Sequence, residues 1–344
     1  MIRSCGASLA LVALAAASPC IAAEDLAACA RIDDAKARLA CYDRLSGRTP
    51  LLQTKDVPAP AEQATRAEAS ASPERTPSLL GRRWLLDRTA DEKPVEVLYH
   101  NPNYFIGHYS DNVNGKPASP THEPGDSELP DVNPGEAKFQ LSFKARLFRP
   151  FGTEDRFALW AAYTQQSHWQ VGNATFSRPF RETDYQPELI LAYRVDQKVA
   201  GWDWRLVNVG LVHQSNGREN PLSRSWNRVY AQFGFERGDF ALLLRPWYRL
   251  RESYESDDNP DIHSYFGSGD VVLVYKTDKQ ALTLTARGNP ATGRGAAQFE
   301  WSTPLFDSPF RLYIQAFTGY GESLIDYNWR QNSIGVGVSL NDVL

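Results

Sequence analysis

Beyond its first two dozen residues, this 344-residue chain has no long apolar run. That excludes transmembrane helices, which need about 20 consecutive, predominantly apolar residues. Charge of either sign is not in surplus: the net charge is −4, and no nucleic-acid partner is expected. The mean hydropathy of −0.45 fits a soluble protein. It fits a transmembrane β-barrel equally, because a barrel hides its lipid face in alternation. Cysteine is scarce. Of the four, Cys5 and Cys20 fall in the leader, which leaves Cys29 and Cys41. Two familiar signatures are also missing. No Gly-x-Ser-x-Gly elbow marks an α/β esterase, and no carboxylate-rich loop marks a calcium site.

Aromatic residues, by contrast, are plentiful at 12%, with 9 Trp and 15 Tyr. Girdles at two membrane interfaces use such residues, although an aromatic-rich soluble sandwich would too. The N-terminus reads as a secretory signal over residues 1–23, with Arg3 ahead of a short apolar stretch and small residues at the cleavage site. Pro19 directly before Cys20 argues against a lipoprotein. Residues 24–49 read as a short helical hairpin around Cys29 and Cys41. A secreted compartment favours their pairing, with two free thiols as the alternative. Residues 50–88 are rich in Pro, Ala, Glu, Thr and Ser, and read as a disordered linker; a partner-binding tail is the other reading.

From Val95 the pattern changes to period two. In Phe139-Gln140-Leu141-Ser142-Phe143-Lys144-Ala145-Arg146-Leu147 the odd positions are apolar and the even ones polar. Segments around Phe157, Leu189, Phe310 and Ile334 repeat it. The opposite face carries Lys144, Arg146, Trp160, Arg311 and Gln315, which suits a small, filled lumen. The segments number roughly twelve, the even count a closed bacterial barrel requires. Tight turns are expected at 236–239 and 276–279, and long outer loops at 112–133 and 252–260. The expected fold is therefore all-β, a twelve-stranded antiparallel transmembrane barrel over residues 89–344. The chain ends in Leu344, whereas outer-membrane barrels usually end in an aromatic residue.

Two adjoining strands carry chemistry. His213 shares parity with Leu211, Val209 and Val207, and Asn227 shares parity with Val229, Ala231 and Phe233. Alternate residues of a strand point to one face. If His213 lies opposite Asn227, every outward pair is apolar and Arg228 turns inward. A one-residue slip would drive Arg228 into hydrocarbon, so the register is well specified. Ser215 then shares the face of His213. A hydroxyl, an imidazole and an amide on an oily face give the nucleophile, base and orienter of a hydrolase whose substrate is lipid. The amides of Ser215 and Gly217 are candidate oxyanion donors. The plain alternative is a polar rim without chemistry.

The motif His213-Gln214-Ser215-Asn216-Gly217-Arg218, together with Ser223-Arg224-Ser225-Trp226-Asn227-Arg228, resembles the bacterial outer-membrane phospholipase A family. Pro179-Phe180-Arg181-Glu182-Thr183-Asp184-Tyr185 and Gly319-Tyr320-Gly321-Glu322-Ser323-Leu324-Ile325-Asp326-Tyr327-Asn328 strengthen the likeness, which covers about residues 95–344. It implies calcium-dependent hydrolysis of phospholipid and lysophospholipid acyl esters in the outer membrane, activated by homodimerisation. It implies Ser215, His213 and Asn227 as the triad. It further implies a Ca2+ ion held by Arg218, Ser223 and a partner copy's Ser177. Gln165 shares parity with the lipid-facing residues of its strand. It reads either as a polar contact across a dimer face, as the resemblance implies, or as an amide in the headgroup zone. The rival to the whole reading is a passive or structural barrel without hydrolase activity.

Overall fold

A computed structural model describes residues 28–46, 78–86, 96–122, 129, 131–148, 156–173, 180–254 and 256–344. They fall into two units, residues 1–74 and 75–344. The expected signal peptide, Ser177 and most of the expected linker lie outside the described residues.

In the first unit, helix α1 (Ala35–Leu45) begins at Asp34, whose carboxylate accepts from Ala37 N at 2.8 Å. Such a cap satisfies one of the amides orphaned at a helix start. A Cys29–Cys41 disulfide, with Cα atoms 5.6 Å apart, ties α1 to the turn before it. The pairing expected for a secreted chain is present.

The second unit is a closed antiparallel barrel. Its strands are β1 (Val97–Tyr99), β2 (Tyr104–Ser110), β3 (Gly135–Phe148), β4 (Phe157–Trp169), β5 (Glu182–Val199), β6 (Trp202–Ser215) and β7 (Ser225–Arg237). They continue with β8 (Phe240–Leu250), β9 (Gly269–Lys276), β10 (Ala281–Asn289), β11 (Arg294–Pro304), β12 (Arg311–Tyr320) and β13 (Arg330–Ser339). From β2 onward neighbours in sequence are neighbours in space, β13 pairs β2, and β3–β4 completes the ring. Strands β1 and β2 share one position along β3, since Val97 pairs Ala145 and Tyr104 pairs Gln140. The ring therefore has twelve positions, as the alternation predicts. At the break between β1 and β2, the Asn103 side chain accepts from Ser142 N at 2.7 Å and donates to Ser142 O at 3.0 Å. An amide side chain there stands in for the missing backbone rung.

Alternation decides which face meets what. Leu141 and Phe143 are about half exposed on the outside, while Ser142, Lys144 and Arg146 are buried in the lumen. Buried charges require partners. Lys138 meets Glu322 at 2.9 Å, and Arg181 meets Glu136 at 2.9 Å and Asp326 at 3.0 Å. The lumen is thus a cross-linked polar core, with a cavity of about 260 Å³ lined by Gln140, Thr164, Gln166 and Gln186 among others. Near the short turns, outward aromatic pairs such as Phe157–Tyr193 and Phe240–Tyr275, with centroids 4.7 and 4.9 Å apart, form part of an interfacial girdle.

Residues 50–88, expected to be linker throughout, contain a helix. Helix α2 (Leu79–Trp84) is capped by Ser78, and its Leu80 and Trp84 are buried. Glu236 accepts from Leu80 N, and Lys144 Nζ lies 3.3 Å from the centroid of the Trp84 ring. Six residues with two large apolar anchors are too short a signal to stand out from the Pro/Ala-rich composition around them.

Candidate active site

Strands β6 and β7 pair with His213 opposite Asn227, Leu211 opposite Val229 and Val209 opposite Ala231. Val212 pairs Arg228 and Gly210 pairs Tyr230 on the lumen side. This is the register predicted from hydrophobic matching. Leu211 and Val209 are 50% and 49% exposed on the outer face, while Val212 and Tyr230 are buried. Tyr230 lies over Gly210, where a Cβ would sit 2.2 Å from the ring. Its hydroxyl donates to Glu188 at 3.0 Å.

At the loop end of this ladder, His213 Nδ1 and Asn227 Oδ1 are 2.9 Å apart. The amide's other end, Nδ2, donates to Glu252 Oε1 at 3.0 Å. His213 is exposed on the apolar face, and Asn227 and Ser215 are half-buried. Ser215 stands two residues beyond His213, paired with Ser225 on β7 and Tyr185 on β5. Among the described residues, the hydrogen bond of His213 goes to Asn227 and none joins it to Ser215. Serine–imidazole contacts are often loose before substrate binds. The structure thus brings together the orienting half of the predicted triad, with Ser215 on the same face.

The loop after Ser215 is built around Asn216, which is buried. Its Oδ1 accepts from Arg224 N at 2.9 Å and Arg218 N at 3.3 Å, and its Nδ2 donates to Leu222 O at 2.8 Å. One side chain therefore folds the whole segment between the strands. Gly217 adopts φ +63°, and a Cβ there would meet Tyr185 Cε2 at 3.1 Å. This is a left-handed conformation that glycine takes without steric cost.

Arg218 is tied down by its guanidinium, which donates to Glu182 Oε2 at 3.1 Å and Phe180 O at 3.0 Å. Ser223 Oγ donates to Asp258 Oδ2 at 2.6 Å. Burial pulls the Arg224 guanidinium below the usual arginine value, an effect opposed chiefly by Tyr327. The same guanidinium donates to Pro221 O at 3.1 Å and Ser223 O at 2.6 Å, which fixes the loop carbonyls. Glu252 and Asp258 were not singled out in the sequence, and Asn216 stood there only as part of the motif, without the loop-folding role of its side chain. Asp258 lies in the acidic string Ser256-Asp257-Asp258-Asn259-Pro260-Asp261, the one signal that could have drawn attention to it.

Gln165 lies between Leu141 and Tyr185 in the sheet. Its amide accepts from Tyr163 Oη at 3.1 Å and donates to Ser167 Oγ at 3.3 Å, so it is partnered along its own strand.

Residues 80–340 match the family model described as phospholipase A1. The putative phospholipase A1 of Neisseria meningitidis is 35% identical over 92% of this chain and 90% of that protein. The phospholipase A1 of Escherichia coli K12 is 39% identical over 73% of this chain and 84% of that protein. Among solved structures, E. coli outer membrane phospholipase A is similar with a TM-score of 0.66 at 38% identity, over 72% of this chain and 95% of that one. The outer membrane phospholipase of Salmonella typhi, solved as a dimer with bound calcium, is similar with a TM-score of 0.67 at 38% identity. That match covers 74% of this chain and 96% of the other.

Proposed function

The chain belongs to the family of outer-membrane phospholipases A, phospholipid-hydrolysing enzymes of the bacterial outer membrane, and from that premise we propose that Ser215, His213 and Asn227 carry its chemistry on the lipid-facing surface. The observation that carries the proposal is the 2.9 Å contact between His213 Nδ1 and Asn227 Oδ1 on the apolar outer face. An amide oxygen opposite Nδ1 keeps a proton on that nitrogen and leaves Nε2 free as a base. An amide in place of the usual carboxylate orients the ring through a neutral hydrogen bond.

In this reading the Ser215 oxygen attacks the acyl carbonyl carbon as His213 Nε2 takes its proton. The oxyanion meets the amides of Ser215 and Gly217. The C–O bond to the glycerol side breaks, and His213 returns the proton to the departing alcohol. Water, activated by His213, then releases the fatty acid from the acyl-serine. A lysophospholipid presents the same ester and is a substrate by the same route.

Calcium and a second copy complete the proposal. The Arg218 carbonyl and Ser223 hydroxyl would hold the ion together with Ser177 of the partner subunit. The donor set fits a hard cation, which prefers oxygen ligands. The hydroxyl already lies against a carboxylate, that of Asp258. Bound calcium would supply positive charge toward the developing oxyanion. Gln165 is proposed as a polar contact across the face between the two barrels.

The test is fatty-acid release from mixed micelles with calcium present. Ser215→Ala should lower release by at least ~10³-fold while the barrel stays folded. A sulfonyl fluoride should label Ser215 in the native protein and fail to label the variant. Unchanged release from the variant overturns the assignment.

A further inference from the structure

Asn227 contacts His213 through one end of its amide, and the two ends of an amide are chemically opposite. If the NH2 group faced the ring, it would ask for an acceptor at Nδ1. The proton would then sit on Nε2, and the base would be lost. Something must therefore fix which way round the amide sits, and Glu252 is placed to do so.

Strand β8 ends at Leu250, which pairs directly with Asn227. Glu252 lies two residues further on, half-buried, with Oε1 3.0 Å from Asn227 Nδ2. An ionised carboxylate accepts hydrogen bonds and donates none. It can face only the NH2 end of the amide, which turns Oδ1 toward His213. Oδ1 in turn accepts only a protonated Nδ1, and so Nε2 carries the lone pair. The same bond satisfies an NH2 group that would otherwise lie unpartnered at an apolar rim, a costly arrangement.

We propose that Glu252 is a positioning residue that sets the amide orientation of Asn227, and through it the proton location on His213. This rests on the triad assigned above. Glu252 touches neither the reacting atoms nor the ring; it acts through Asn227.

The experiment compares Glu252→Ala, Glu252→Gln, Asn227→Ala and Asn227→Ala/Glu252→Ala in purified full-length protein, assayed on mixed micelles over a calcium series. Glu252→Ala should lower kcat about tenfold or more with KM and half-saturating calcium unchanged. Glu252→Gln presents an acceptor and a donor and can face either end of the Asn227 amide, so its kcat should fall between wild type and Glu252→Ala. In the Asn227→Ala background, removing Glu252 should cost nothing further, because the group it orients is gone. Wild-type kcat in Glu252→Ala overturns the proposal. So does an equal loss in the presence and absence of the Asn227 side chain, or a shifted calcium requirement. Ser215→Ala is run alongside. If that variant stays active, the triad reading fails; if it is dead while Glu252→Ala is normal, only the role of Glu252 fails.

Discussion

Ser223 donates its hydroxyl to Asp258 Oδ2 across 2.6 Å, joining the loop after β6 to the loop after β8. Asp258 also lies 3.4 Å from His122 Nε2, on the loop after β2. Three outer loops therefore converge on one carboxylate beside a proposed calcium ligand. Asp258→Asn should raise the calcium needed for half-maximal activity by about 10- to 100-fold, the usual effect of disturbing groups around a metal ligand. Excess chelator should stop wild-type hydrolysis, and added calcium should restore it. A calcium titration of fatty-acid release reads both.

Gly217 sits at φ +63° two residues beyond the proposed nucleophile Ser215, close to Tyr185. Alanine there adds about 1–2 kcal/mol of left-handed strain and presses on the Tyr185 ring. The loop should relax and carry the amide of residue 217 away from the oxyanion, lowering kcat by about 10- to 100-fold. Gly238→Ala is the control. It has a similar φ of +58° in a short turn, with nothing within 4 Å of a Cβ, and should leave kcat unchanged.

Gly210 makes room for Tyr230 inside the barrel. With a Cβ 2.2 Å from that ring, Gly210→Ala must displace the tyrosine and its bond to Glu188. Overpacking of this kind costs about 1–3 kcal/mol. The expected result is a lower Tm in detergent, read by thermal unfolding.

Trp84 anchors α2, with Lys144 over its face and Trp160 edge-on at 6.0 Å. Trp84→Ala removes a buried aromatic and should destabilise the barrel by about 3–5 kcal/mol. Thermal unfolding of the detergent-solubilised variant tests this.

The alternation of Leu141, Phe143, Leu211 and Val229 with buried partners made the barrel legible, because one lipid face and one polar face impose a strict period of two. The same constraint fixed the β6–β7 pairing, so Asn227 opposite His213 could be read without a structure. The parts of Glu252 and Asp258, and the loop contacts of the Asn216 side chain, were not legible. Each acts from a polar loop, where periodicity carries no information and partners are distant in sequence. The pairing of Asn103 with Ser142 and the helix around Leu80 were hidden for related reasons. One replaces a rung by a side chain, and the other is a single short turn-and-a-half of apolar contact.

The ladder that carries the proposed triad ends at Ser215, at the loop-bearing extremity of β6, and not midway along it. Long loops face the exterior in such barrels. With Ser215 as the proposed nucleophile, a scissile ester would approach from the outward monolayer, and lipid of the inward monolayer would stay out of reach until it crosses over. On the proposed assignment, the height of one residue on a strand would confer sidedness on turnover.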